Sequence, residues 1–312
     1  MTPPPTTPSA ASDALPDAAA VARWLRRASA LEAAPWLHAE VARRMATRLS
    51  IVKAQPAKVL DWWSALGGSG ALLREHYPKA EIERVEPVPA FAARAASSAP
   101  AWWQARRWLG RTGHAAHLES QLPGDTSAGL VWANMMLHWS TDPAQTFARW
   151  HRALAVDGFV MFSCFGPDTL RGLRELYAER GLGAPSQRFI DMHDLGDAMV
   201  HAGFADPVMD MEKLVLTWPD AGAMLAELRT LGVNAAHTRA SGLRTSGWRR
   251  KLESDIEVRL GTGEGRVSME FEIVFGHAFR PVPRARVAAQ TRVSVEDMRM
   301  MARRKPPPGR ER

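Results

Sequence analysis

The strongest constraint on this chain is an alternation, in which short apolar runs of strand length take turns with longer stretches of helical spacing. Strand-like runs fall at 58–63, 82–86, 107–109, 130–134, 159–165 and 269–278, with a short one near 214–218. Helical spacing fits 70–76, 143–154, 168–180, 192–202 and 221–231. Strands that take turns with helices in this way predict an α/β fold, a mostly parallel sheet covered by helices on both faces. In Met269-Glu270-Phe271-Glu272-Ile273 apolar and acidic residues alternate strictly, which gives that strand one wet face and predicts a place at or near a sheet edge.

The flanks differ from this middle. Residues 1–17 are Pro, Thr, Ser and Ala with almost no charge, too little apolar surface to offset ordering entropy, and are predicted to be disordered. Over 18–53, Val21, Trp24, Leu25, Val41, Met45 and Leu49 recur at helical spacing, so one or two amphipathic helices precede the first strand. The main domain is expected to span 54–285, and 286–312 to form a basic Pro-rich tail.

The net charge of +7 sits at that end: residues 280–312 carry ten Lys or Arg and three Asp or Glu, which leaves thirty of each sign before them. A charge-balanced domain is a poor phosphate binder, so no nucleic-acid partner is expected, and the tail reads as a solubilising one. No run approaches the ~18 apolar residues of a membrane-spanning helix, and the start lacks a secretory signal, so no membrane and a cytoplasmic location are expected. Cys164 is alone, so neither an internal disulfide nor a cysteine metal cluster can form. His193 among Asp191, Asp194 and Asp197 is read as a helix start capped by Asp191, and no metal is expected.

The chemistry concentrates in Val59-Leu60-Asp61-Trp62-Trp63-Ser64-Ala65-Leu66-Gly67-Gly68-Ser69-Gly70, an apolar strand running into a small-residue turn that opens a helix. Nucleotide-like ligands bind at such turns, where backbone amides and a helix N-terminus approach them closely. About twenty residues on, Glu86 ends the second strand and is placed to accept hydrogen bonds from ribose hydroxyls.

Asp61 to Leu73 align without a gap on the first motif of the class I S-adenosylmethionine-dependent methyltransferases, Asp-x-Gly-x-Gly-x-Gly. Trp63 and Ala65 stand in the first two glycine places and Gly67 in the third. Longer stretches resemble the malonyl-acyl-carrier-protein O-methyltransferase family of biotin synthesis: Leu130-Val131-Trp132-Ala133-Asn134-Met135-Met136-Leu137-His138-Trp139, Phe165-Gly166-Pro167-Asp168-Thr169-Leu170, Phe189-Ile190-Asp191-Met192-His193 with Ala202-Gly203-Phe204, and Gly276-His277-Ala278-Phe279-Arg280-Pro281.

This resemblance implies a class I methyltransferase, Rossmann-like fold with seven strands and S-adenosylmethionine as cofactor. It implies cofactor contacts from Asp61, Trp63, Ala65, Gly67, Glu86, Glu119 and Asn134, with Leu31 of the N-terminal helices covering the site. The implied reaction is in-line methyl transfer to the carboxylate of malonyl-acyl carrier protein or another malonyl thioester. A carboxylate is already nucleophilic, so alignment and water exclusion suffice without a general base. His138 and Trp139 are the expected substrate-pocket residues, Arg174 the expected carboxylate-holding cation, and a monomer the expected form. The same pattern occurs in a mitochondrial relative that assists respiratory complex I assembly, which leaves a second implied reading, a non-methylating relative that binds a protein partner.

Overall fold

The computed structural model describes residues 15–97, 115–123, 125, 127–242, 244–283 and 296. The chain divides into two compact units, Met1–Pro281 and Val282–Arg312, and the fold below is that of the first. Seven strands, β1 (Lys58–Trp62), β2 (Glu81–Glu86), β3 (Ala116–Leu118), β4 (Ala128–Ala133), β5 (Leu154–Phe165), β6 (Ala205–Trp218) and β7 (Val267–Phe279), form one sheet in the order β3-β2-β1-β4-β5-β7-β6. β7 runs antiparallel to both of its neighbours, and the other pairings are parallel. The parallel strands therefore end on one edge of the sheet, where loops meet.

Helices cover both faces. On one side α1 (Ala18–Ala28), α6 (Pro143–Ala153), α8 (Met192–His201) and Phe91 of α5 (Pro89–Ser97) pack on Leu60, Trp62 and Val131. On the other, α2 (Trp36–Arg48), α4 (Gly70–His76), α7 (Arg171–Glu179), α9 (Ala221–Leu231) and α10 (Ser246–Leu260) pack on Val59, Leu130 and Trp132. Leu60 and Trp62 face one core and Val59 the other, the two-residue period of a strand. Burial on both faces is why β1 and β4 read as continuous apolar runs instead of alternating ones. A short helix, α3 (Ser64–Gly67), follows β1.

Several expectations are met closely. Met269–Ile273 lies in β7, one strand from the edge. Asp191 caps α8, its carboxylate accepting the His193 N–H at 2.8 Å. Among the described residues no helix is long and apolar enough to cross a membrane.

Others are corrected. The expected short strand at 214–218 is only the end of the fourteen-residue β6, which starts at Ala205. β6 is an edge strand, so its residues alternate between half-buried and exposed, and Pro207 is tolerated at a register shift between Ala205 and Val208. α10 was not expected: its inward line is only Trp248, Leu252, Ile256 and Leu260 at four-residue spacing, amid charged residues. The expected strand at 107–109 lies outside the described residues, and the strand that pairs with β2 is Ala116–Leu118. Of 1–17, residues 1–14 also lie outside them, whereas Asp17 caps α1, donates its N–H to Ala235 O at 2.8 Å and pairs with Arg239 at 2.7 Å.

Candidate active site

Everything at the site is built on the turn after β1. Trp63 N–H bonds Val85 O at 2.6 Å, and Leu66 and Gly67 N–H return to Trp63 O, so the chain coils into α3 directly. Trp63 itself sits at φ 54°, ψ 44°, left-handed backbone that costs a side-chain-bearing residue about 1–2 kcal/mol and a glycine nothing. Gly68 ends α3 at φ 69°, and a Cβ there would stand 3.0 Å from the Ala34 Cβ, so the segment between α1 and α2 lies directly on the turn. His38 of α2 fixes the same contact: it is fully buried, its Nδ1 lies 2.8 Å from Leu66 O, and burial lowers its pKa to about 4, so the neutral ring donates.

The two acids flank this turn. Asp61 accepts the Ser64 hydroxyl on Oδ2 at 2.6 Å, and burial raises its pKa to about 6. Glu86, wholly buried, accepts the Ala65 N–H on Oε1 at 3.0 Å, and burial, then the nearby charge of Asp61, raises its pKa to about 8. Asp61 Oδ1 and Glu86 Oε2 are buried with no hydrogen-bond partner among the described residues. Glu119, after β3, accepts the Trp63 indole N–H at 2.9 Å on one oxygen and Arg149 at 3.1 Å on the other.

Asn134, at the end of β4, is fully engaged inside the protein. Its amide donates to His38 O at 2.8 Å and Gly67 O at 2.6 Å, and its carbonyl oxygen accepts the Ser163 hydroxyl at 2.7 Å. It ties α2, the turn and β5 together, its side chain taken up by these three bonds. Gly67 lies against it: an added Cβ would come within 3.4 Å of Asn134 O.

His138 and Trp139 follow on the same edge and line a cavity of about 760 Å³. Trp24 of α1 stacks on Trp139 with centroids 4.3 Å apart, and Leu31, Phe165 and Phe189 add apolar wall. Burial holds the His138 pKa well below its usual value, and the Phe165 N–H faces its Nδ1 at 3.4 Å. Arg174 is placed differently from expectation. It does not line the cavity, and its guanidinium donates to the carbonyl oxygens of Pro167 and Thr169, stapling the loop before α7. The cations on the cavity wall are instead Arg27, Arg229, Arg244 and Arg249, none singled out by the sequence. Only α10 and the segment before it bring Arg244 and Arg249 there, and no local pattern announced them.

A methyltransferase-domain family model matches residues 66–162. The malonyl-[acyl-carrier protein] O-methyltransferase of Laribacter hongkongensis is 38% identical over 266 residues, 84% of this chain and 88% of that protein. That of Gallionella capsiferriformans is 37% identical over 264 residues, 83% of this chain and 89% of that one. The chain belongs to the malonyl-[acyl-carrier protein] O-methyltransferase family. The sheet order matches the Rossmann-like expectation, and the YcgJ protein of Bacillus subtilis shares the fold with a TM-score of 0.51 at 12% identity, over 77% of this chain and 99% of that one.

As a member of this methyltransferase family the chain uses S-adenosylmethionine as cofactor, and the reading as a non-methylating assembly factor is not favoured. The acids suit that group. The buried oxygens Glu86 Oε2 and Asp61 Oδ1 lack a partner among the described residues, and the ribose hydroxyls and amino-acid ammonium of S-adenosylmethionine are groups with which such carboxyls pair.

Proposed function

We propose that this chain methylates the free carboxylate of a malonyl thioester carried on acyl carrier protein, in biotin synthesis, and that it works in the cytoplasm as a monomer without nucleic-acid or membrane partners. The observation that carries the reading is one of placement. The arginine-bearing cavity lined by His138, Trp139 and Phe165 opens at the carboxyl ends of β4 and β5, on the sheet edge that also carries the Asp61 turn and Glu86. Cofactor and substrate places so arranged are neighbours, as a direct group transfer needs.

S-adenosylmethionine, when bound, supplies an electrophilic methyl group. Glu86 and Asp61 hold its hydroxyl and ammonium ends in this reading, and Trp24, Leu31 and Trp139 keep water from the transfer. The malonate carboxylate is its own nucleophile, so His138 serves as a neutral wall residue and no proton has to move. The positive charge for the anionic substrate comes from Arg27, Arg229 and Arg244, because Arg174 is committed to backbone carbonyls.

The direct test is incubation of the purified chain with labelled S-adenosylmethionine and malonyl-acyl carrier protein. A labelled methyl ester, and growth of a biotin-requiring strain that lacks its own methyltransferase, are the expected results. If the donor is bound and no ester forms on malonyl-acyl carrier protein, the reading is wrong. The cavity wall offers a sharper check at Gly232. A Cβ there would fall 2.3 Å from the Trp139 ring, which cannot yield because Trp24 stacks on its plane. Gly232→Ala is therefore expected to cost ~1–3 kcal/mol of stability and to raise KM for the malonyl thioester while the affinity for S-adenosylhomocysteine stays unchanged.

A further inference from the structure

We infer that Trp63 is an internal occupant of the cofactor cleft, holding the nucleoside place with its own indole until S-adenosylmethionine displaces it. The inference rests on the cofactor assignment made above. Its ground is a coincidence of positions: the two residues that stand in the family's first two glycine places each donate to an acid of the site. Trp63 gives its ring N–H to Glu119 and Ala65 its backbone N–H to Glu86.

The indole is only 5% exposed and belongs to the core cluster with Leu66, Val85 and Phe91. A flat two-ring aromatic with an N–H directed at a carboxylate has the shape and the donor of an adenine with its amino group. Glu119 is the acid that follows β3, one of the residues the family resemblance assigns to the cofactor. Glycine at 63 would take the same left-handed backbone without strain and leave that volume open.

The occupation is incomplete, and this argues for exchange instead of permanent closure. Glu119 is bonded on both oxygens, but Asp61 and Glu86 have one each bonded within the chain, while Glu86 Oε2 and Asp61 Oδ1 remain buried without a partner. A purely structural plug would leave those acceptors unpaired for good, a standing cost that a ligand bearing hydroxyl and ammonium groups removes. Binding then exchanges the internal Trp63–Glu119 hydrogen bond for several external ones, and the observed affinity is lowered by the fraction of molecules in which Trp63 is seated.

Calorimetric titration with S-adenosylhomocysteine of the full-length wild type, Trp63→Gly and Trp63→Phe tests this, with nitrogen-15 spectra of the indole N–H groups as a second readout. Trp63→Gly is expected to bind roughly tenfold tighter than wild type, and Trp63→Phe, which keeps a ring without the N–H, to fall between. In wild type the Trp63 indole signal, identified by its loss in Trp63→Phe, is expected to shift at saturation. Should wild type bind while neither variant binds more tightly, the inference is overturned and the cofactor assignment stands. Should none of the three bind, both are overturned. If Trp63→Gly does not fold, the other two proteins decide: a Trp63 indole signal unmoved at saturation overturns the inference.

Discussion

Replacing Glu86 with glutamine is expected to stabilise the ligand-free chain by on the order of 3–5 kcal/mol at pH 8.5 and by much less at pH 5. The reason is the buried carboxyl beside Asp61, whose pKa stands at about 8 in the folded chain against an ordinary 4.5. Below the ordinary value both folded and unfolded chains carry the proton, and Glu86 costs nothing. As the pH rises from there, the unfolded chain releases the proton and the folded one retains it. Stability is therefore lost progressively until the pH passes about 8, and the loss then levels off. Asp61 adds a smaller effect of the same sign, from its ordinary 3.8 up to about 6.

Glutamine keeps an oxygen for the Ala65 N–H and cannot ionise, so it mimics the protonated form. Urea unfolding of wild type and variant at the two pH values measures the difference, and parallel pH dependences would contradict the assignment. The same variant is expected to bind S-adenosylhomocysteine more weakly, because an amide is a poorer acceptor for ribose hydroxyls than a carboxylate. A gain in stability with a loss in binding separates a ligand-holding acid from a structural one.

Asn134→Ala is expected to cost on the order of 2–4 kcal/mol, the loss of three buried hydrogen bonds. Truncation removes both donated bonds, leaving His38 O with its helical partner alone and Gly67 O with the Ser69 hydroxyl at 3.4 Å, and takes the acceptor from the Ser163 hydroxyl. Ser163 likewise keeps one bond, since its oxygen also accepts the Met135 N–H at 3.1 Å. Those carbonyls belong to α2 and to the turn after β1, and the variant should loosen the N-terminal helices from the sheet before the sheet itself opens. Hydrogen exchange resolves this: faster exchange confined to α2 and 63–68 is the expected pattern, and a uniform increase would argue against the staple. Asn134→Asp is not a rescue, because it keeps the acceptor, loses both donated bonds and buries a carboxyl against two carbonyl oxygens.

The sequence alone was enough for the alternating elements, since strand and helix periods are local properties that each segment declares by itself. β1, β2 and α4 stand within a residue of where spacing puts them, and the family resemblance named the acids that flank the turn. Where local signal was weak, it failed: β6 lies at the edge with little to bury, and α10 shows the core a line only one residue wide. The partners of the site residues were decided by the tertiary structure, because hydrogen bonds join residues far apart in the chain. Glu119 lies 56 residues from the indole that occupies it, and Asn134 lies 96 from His38. Arg174 reads as a free cation along its helix and becomes a loop staple only when the carbonyls of Pro167 and Thr169 fold back on it. Motif spacing could place an acid beside a cofactor turn; only packing could show that the chain's own tryptophan already bonds one of the acids there.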